Sequence, residues 1–151
     1  MTHPEKAKEL FTRGYNCAQS VFAAFCDLTG MDEKEALRLS SSFGGGFGRL
    51  REVCGAVSGM ALVLGALYGY DDPTDKEIKK AHYARVQTVC GAFRDRHGTL
   101  ICRELLADVK HTPGNTPEPR TEAFYHERPC AGLVESAAEI LDGFLASHPI
   151  D

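Results

Sequence analysis

The chain has 151 residues, of which 43% are hydrophobic and 25% charged, with a formal net charge of -4 and a pI near 5.9. These values fit one soluble globular domain that can bury a core without disulfide staples, and they count against non-specific binding to nucleic acid or anionic membrane. The N-terminal MTHPEKAKELF carries neither an apolar signal segment nor a twin-arginine pair, so the expected location is the cytoplasm, where six cysteines are more readily reduced, metal-bound or redox-active than structural bridges.

In chain order, residues 4–28 predict a first helix. Pro4 suits its first turn, and Leu10, Gly14, Cys17, Val21, Phe25 and Leu28 recur at spacings of three and four, which places Cys17 in mid-helix facing inward. Thr29-Gly30 ends it. Asp32, with Glu35 three residues on, caps a short second helix through about Ser41. A loop containing Gly44, Gly45, Gly46 and Gly48 comes next, able to turn sharply at positive φ or to bring its amides close to a ligand. Gly44, Gly45 and Gly46 are therefore candidate binding positions for an anionic cofactor. The loop lacks the lysine and serine or threonine of a phosphate-binding loop, so no nucleotide site is assigned.

The stretch from Val53 to Tyr70 is uncharged and carries Gly55, Gly59, Ala66 and Gly69 on one face of a 3.6-residue period. Each interior glycine costs a helix about 1 kcal/mol against alanine, so a helix over 53–69 is expected to be buried where another backbone approaches closely. The run touches the lower limit for a membrane span, but glycine and serine dilute it and a central core helix is the better reading. The same small face would equally suit a homodimer contact. Cys54 opens this helix beside Arg49 and Arg51, where the helix dipole and two cations favour a thiolate and burial opposes it.

Asp71-Asp72-Pro73 breaks the chain, and Thr74 or Asp75 caps a fourth helix to about Arg96 with Ile78, His82, Val86, Val89 and Phe93 inward. Gly98 stops it. Thr99 caps a fifth, with Cys102 in its first turn and Cys102, Leu105, Leu106 and Val109 as its inner face. Residues 110–129 hold four of the seven prolines and read as irregular, with one helical turn around Glu122 to His126; a lid over a site and a solvated excursion are both open. Pro129 starts a last helix lined by Cys130, Val134, Ala137, Leu141 and Phe144. No stretch reads as a strand. The expected fold is all-α, a single domain of five or six packed helices around residues 53–69.

Cys54, Cys102 and Cys130 each open a predicted helix, where a charged sulfur is stabilised for nucleophilic attack or metal ligation. The gaps between Cys17, Cys54, Cys102 and Cys130 contain no CxxC pair, so any shared site must be assembled by folding. The stretches Gly14-Tyr15-Asn16-Cys17-Ala18-Gln19, Phe43-Gly44-Gly45-Gly46, Cys54-Gly55-Ala56-Val57-Ser58-Gly59, Cys102-Arg103-Glu104-Leu105-Leu106 and Cys130 together resemble the C_GCAxxG_C_C family of redox-active proteins over nearly the whole chain. The resemblance selects Cys17, Cys54, Cys102 and Cys130 and leaves out Cys26 and Cys90, which read as core or incidental.

The resemblance implies redox activity, with an iron-sulfur or other metal centre as the cofactor it suggests. Three readings result. In the first, Cys54 is the activated thiolate and a second cysteine resolves it as a disulfide, with a redox partner protein. In the second, the same four cysteines hold zinc or an iron-sulfur cluster. In the third, the cysteines only pack. His111 and His126 are candidates to complete a metal site, although a surface position is the commoner fate of such histidines.

Overall fold

The computed structural model describes residues 1–150 and is all-α among them. Its helices are α1 (His3–Thr12), α2 (Cys17–Ala24), α3 (Cys26–Thr29), α4 (Glu33–Ser40), α5 (Gly55–Tyr68), α6 (Lys76–His97), α7 (Cys102–Leu105), α8 (Glu122–Glu127) and α9 (Cys130–Ser147), with a 3-10 turn at Ser41–Phe43. The helix class is as expected; the number is larger, because the expected first helix is divided into three and the expected turn around Glu122 to His126 is a helix, α8.

The expected first helix is three. Gly14 takes φ +107°, which ends α1, and Asn16 then caps α2: its side chain accepts from the Gln19 amide at 2.9 Å while its own amide donates to the Gln19 side chain at 3.0 Å. Cys17 is consequently the first residue of α2, not a mid-helix core position. The expected fifth helix shrinks to Cys102–Leu105, and Ile101 rather than Thr99 stands at its cap. Ile78, assigned to the core of the fourth helix, is exposed on α6, while His82, Val89 and Phe93 are buried.

The core lies between α1, α2, α5 and α9, with α4 flanking α2 and α6 flanking α5 and α9. Close approach explains the glycines of α5 only in its first half. A Cβ on Gly59 would lie 2.7 Å from Val21 Cβ, and one on Gly55 would lie 3.0 Å from the Ala18 amide nitrogen, so both sit directly against α2. A larger side chain at Gly59 would force overpacking, at a cost of about 1–3 kcal/mol. Met60, Val63 and Leu64 are fully buried on the other sides of the helix, each contributing about 1.5–3 kcal/mol of transfer free energy. Gly65 and Ala66 are exposed, so the small face does not stay in contact along its length. Among the described residues no helix is long and apolar enough to cross a membrane.

Candidate functional site

Four helix starts surround one cavity of about 500 Å³, and they are the starts that carry Cys17, Cys54, Cys102 and Cys130. Cys26 and Cys90 do not line it. Two of the starts are tied together by backbone. Val53 and Ile101 form an isolated antiparallel bridge, with Cys54 N–H donating to Leu100 O at 2.8 Å and Cys102 N–H to Glu52 O at 2.6 Å. The beginnings of α5 and α7 therefore lie side by side. The other two starts come from α2 and α9, which pack against each other in the core.

The glycine loop forms a further wall. Gly44, Gly45 and Gly46 all line the cavity. Gly46 passes so near α7 that a Cβ there would lie 2.6 Å from Cys102 Cβ, and Gly44 is similarly closed in by Asn16. Gly45, Gly46, Phe47, Gly48 and Arg49 all have positive φ, as does Arg51. Such a left-handed run costs the side-chain-bearing residues about 1–2 kcal/mol each. The run is held by amides that return to the loop itself: Gly48 N–H to Ser42 O at 2.7 Å, Arg49 N–H to Gly44 O at 3.0 Å and Glu52 N–H to Gly46 O at 2.9 Å. Amides from Phe47 to Glu52 are thus spent within the loop.

This path sends Arg49 and Arg51 over the cavity to meet residues 110–128, which cross it. Arg49 donates to Thr112 O and Thr116 O, each at 2.9 Å, and pairs with Glu118 at 3.1 Å. Arg51 pairs with Glu118 at 3.3 Å and reaches Cys102 Sγ at 3.8 Å. Arg128, buried just before α9, pairs with Glu118 at 3.2 Å and stacks its guanidinium over Phe124. Arg120 is committed elsewhere, donating to Phe11 O and Tyr15 O over the Phe11 ring. Burial pushes the Glu118 carboxyl up, but the Thr112 amide and the three guanidiniums outweigh it and bring it to about 2. The irregular segment is therefore a lid over the cavity, held by the Glu118 carboxylate, by Arg49 on the Thr112 and Thr116 carbonyls and by Arg120 on Phe11 and Tyr15.

The four thiols differ in acidity. The sequence points to Cys54 as the activated thiolate. Instead, burial raises it to about 12 against a smaller opposing influence of the Ala56 and Val57 amides, and the expected cation Arg51 lies against Cys102. Cys102 is also raised by burial, with Arg51 working the other way. Cys130 is the exception. A hydrogen bond from the Cys17 thiol and the charges of Arg128 and Arg120 overcome its burial and lower it to about 7. Cys17, as the partner that keeps its proton, is raised well above an ordinary thiol by that hydrogen bond and by burial.

All six cysteines are free. Among the described residues no group of three or more His, Cys, Asp or Glu side chains is gathered closely enough to hold one metal ion. The thiols are chemically suited to zinc or an iron-sulfur cluster, but their arrangement does not present such a ligand set. Neither His111, whose ring contacts Val109 O, nor the exposed His126 lines the cavity. Sequence reasoning missed Glu118, Arg120 and Arg128. Their signal was present as three charges among the prolines of residues 110–128, but nothing local indicates that they turn inward.

Residues 15–144 match the family described as "Putative redox-active protein (C_GCAxxG_C_C)". The chain belongs to that family. No curated protein and no solved structure gave a match.

Proposed function

We propose that the chain is a thiol-disulfide redox protein in which Cys130 is the nucleophile and Cys17 the resolving cysteine. The observation that carries this reading is that Cys17, Cys130 and Arg128 line one cavity large enough for a small substrate, where the Arg128 charge favours the Cys130 thiolate and burial favours a protonated Cys17. Membership of a family described as redox-active supports it.

The Cys130 thiolate attacks one sulfur of a substrate disulfide; a mixed disulfide forms and the other substrate sulfur leaves as a thiolate. Cys17 passes its proton to that leaving sulfur and attacks Cys130 Sγ. The products are a Cys17–Cys130 disulfide, one substrate thiol and one substrate thiolate, which takes its proton from solvent, so two electrons pass from the protein to the substrate. Cys54 and Cys102, both held protonated by burial, stand beside the pair without a part in these two steps.

The test is to challenge the reduced chain with a small-molecule disulfide, block remaining thiols under denaturing conditions and map the products by mass spectrometry. A Cys17–Cys130 bridge is expected in the unaltered chain, and Cys17→Ser should accumulate the mixed disulfide on Cys130. Modification confined to Cys26 or Cys90 would overturn the assignment.

A further inference from the structure

We propose that Arg49, Arg51 and Arg128 form the binding site for a small anionic substrate, whose carboxylate or oxyanion takes the place that Glu118 occupies in the closed lid. In calling the anion a substrate, this rests on the redox reading above; the anion site itself does not.

Charge is the first indication. Three guanidiniums face a single carboxylate, which comes from the lid and not from the helical core. The two oxygens of Glu118 divide the cations, one taking Arg51 at 3.3 Å, Arg128 at 3.2 Å and the Thr112 amide at 2.6 Å, the other taking Arg49 at 3.1 Å. One carboxylate cannot neutralise three buried or half-buried cations, and a site with excess positive charge inside a low-dielectric wall attracts a further anion.

Unused donors point the same way. Arg51 Nε is buried without a hydrogen-bond partner, and a native structure seldom leaves such a donor unsatisfied. Its guanidinium otherwise meets only Glu118 and the weak acceptor Cys102 Sγ, which leaves the planar fork short of the paired acceptors that suit it. A planar carboxylate or a tetrahedral oxyanion offers two or more acceptors in that geometry. Arg49 and Arg51, side-chain-bearing residues at positive φ, are kept there at a conformational cost that ordinary loop closure does not require.

The placement also fits the chemistry. Arg128 touches both partners, pairing with Glu118 and lowering Cys130, so an anion seated on the arginines lies next to the nucleophilic sulfur. Glu118 then has two roles, fastening the lid and occupying the anion position until a substrate arrives.

The experiment titrates sulfate and, separately, succinate into the full reduced chain by calorimetry at ionic strength matched with chloride, which distinguishes an oxyanion from a carboxylate. Glu118→Gln empties the arginines of their charge partner and should bind one of the two anions at least tenfold more tightly than the unaltered chain. Adding Arg51→Gln to it should abolish the gain. A Glu118→Gln affinity no higher than that of the unaltered chain for both anions, or a gain that survives Arg51→Gln, overturns the proposal. Should Glu118→Gln fail to fold by circular dichroism, the unaltered chain supplies the test: anion binding should release the lid and raise trypsin cleavage after Lys110 severalfold, and unmoved cleavage overturns the proposal. The two readings fail separately. Anion binding without a Cys17–Cys130 bridge removes the redox assignment alone, and a bridge without anion binding removes the anion site alone.

Discussion

Cys54 and Cys130 both stand at helix starts and face the same cavity, yet burial drives the first up to about 12 while a thiol donor and two arginines bring the second down to about 7. The wall around Cys54 is made by α2 and α5 in glycine contact, and burial dominates at the sulfur. The wall around Cys130 meets the lid, with Arg128 and Arg120 at hand. A helix N-terminus alone therefore does not activate a thiol, because a partial charge of about half a unit is easily outweighed by desolvation. Full charges and hydrogen-bond donors decide it.

The largest effect that tests this contrast is thiol reactivity. At pH 7 a thiol at about 7 is roughly half ionised, and one at about 12 is ionised to about one part in 10⁵. Even allowing for the lower intrinsic nucleophilicity of the more acidic sulfur, limiting iodoacetamide should label Cys130 at least about a hundredfold faster than Cys54 in the reduced, folded chain. Its labelling rate should rise through a midpoint near pH 7, read by mass-spectrometric mapping. Cys54 labelled ahead of Cys130 would invert the comparison.

The second test concerns the charged wall. The Glu118 carboxyl is lowered from 4.5 to about 2, so the native state favours its ionised form. A depressed carboxylate contributes stability that is complete above its unfolded value, and that contribution declines from about 4.5 downward and is gone below about 2. Because Glu118 is partly exposed, the contribution is about 2 kcal/mol. Glu118→Gln should lose that amount in urea unfolding at pH 7, and its deficit against the unaltered chain should close as the pH is lowered toward 2. A deficit independent of pH would show that the side chain acts by packing and not by charge.

The glycine-packed wall was the more legible of the two in the sequence. Gly55 and Gly59 at one helical face implied a close backbone neighbour, and α2 is that neighbour. Cys54, Cys102 and Cys130 were set apart by expected helix starts and by family pattern, Cys17 by family pattern alone, and Cys26 turns out to open a helix too, the short α3. What the periodicity hid was the break before Cys17: the stripe from Leu10 to Phe25 continues across Gly14, while Asn16 and Gln19, a reciprocal cap, mark a new helix. Local capping chemistry places Cys17 with the other helix starts. The charged wall was hidden for a different reason. Glu118 meets Arg51 across 67 residues and Arg49 from still farther along the chain, and no local pattern in an irregular segment encodes a contact at that range. The acidity of Cys54 failed for the same reason, since Arg51 was near it in sequence but lies on Cys102 in space.

The smallest effect tests how the loop joins the two walls. Phe47 sits at φ +73°, half exposed, with its ring edge-on to Phe43 at 5.6 Å. Comparing Phe47→Ala with Phe47→Gly cancels the loss of the ring, since both remove it, and leaves only the Cβ. In an ordinary loop position alanine is the more stable of the two by about 0.4–1 kcal/mol, because glycine leaves the unfolded chain freer. At positive φ the order reverses, since the Cβ costs about 1–2 kcal/mol there and glycine escapes it. The difference of these two contributions leaves Phe47→Gly more stable than Phe47→Ala by about 1 kcal/mol, measurable as a shift in the urea midpoint at unchanged slope. If alanine is the more stable, residue 47 does not hold the left-handed conformation, and the path that brings Gly46 against Cys102 while sending Arg49 and Arg51 to Glu118 loses its backbone support.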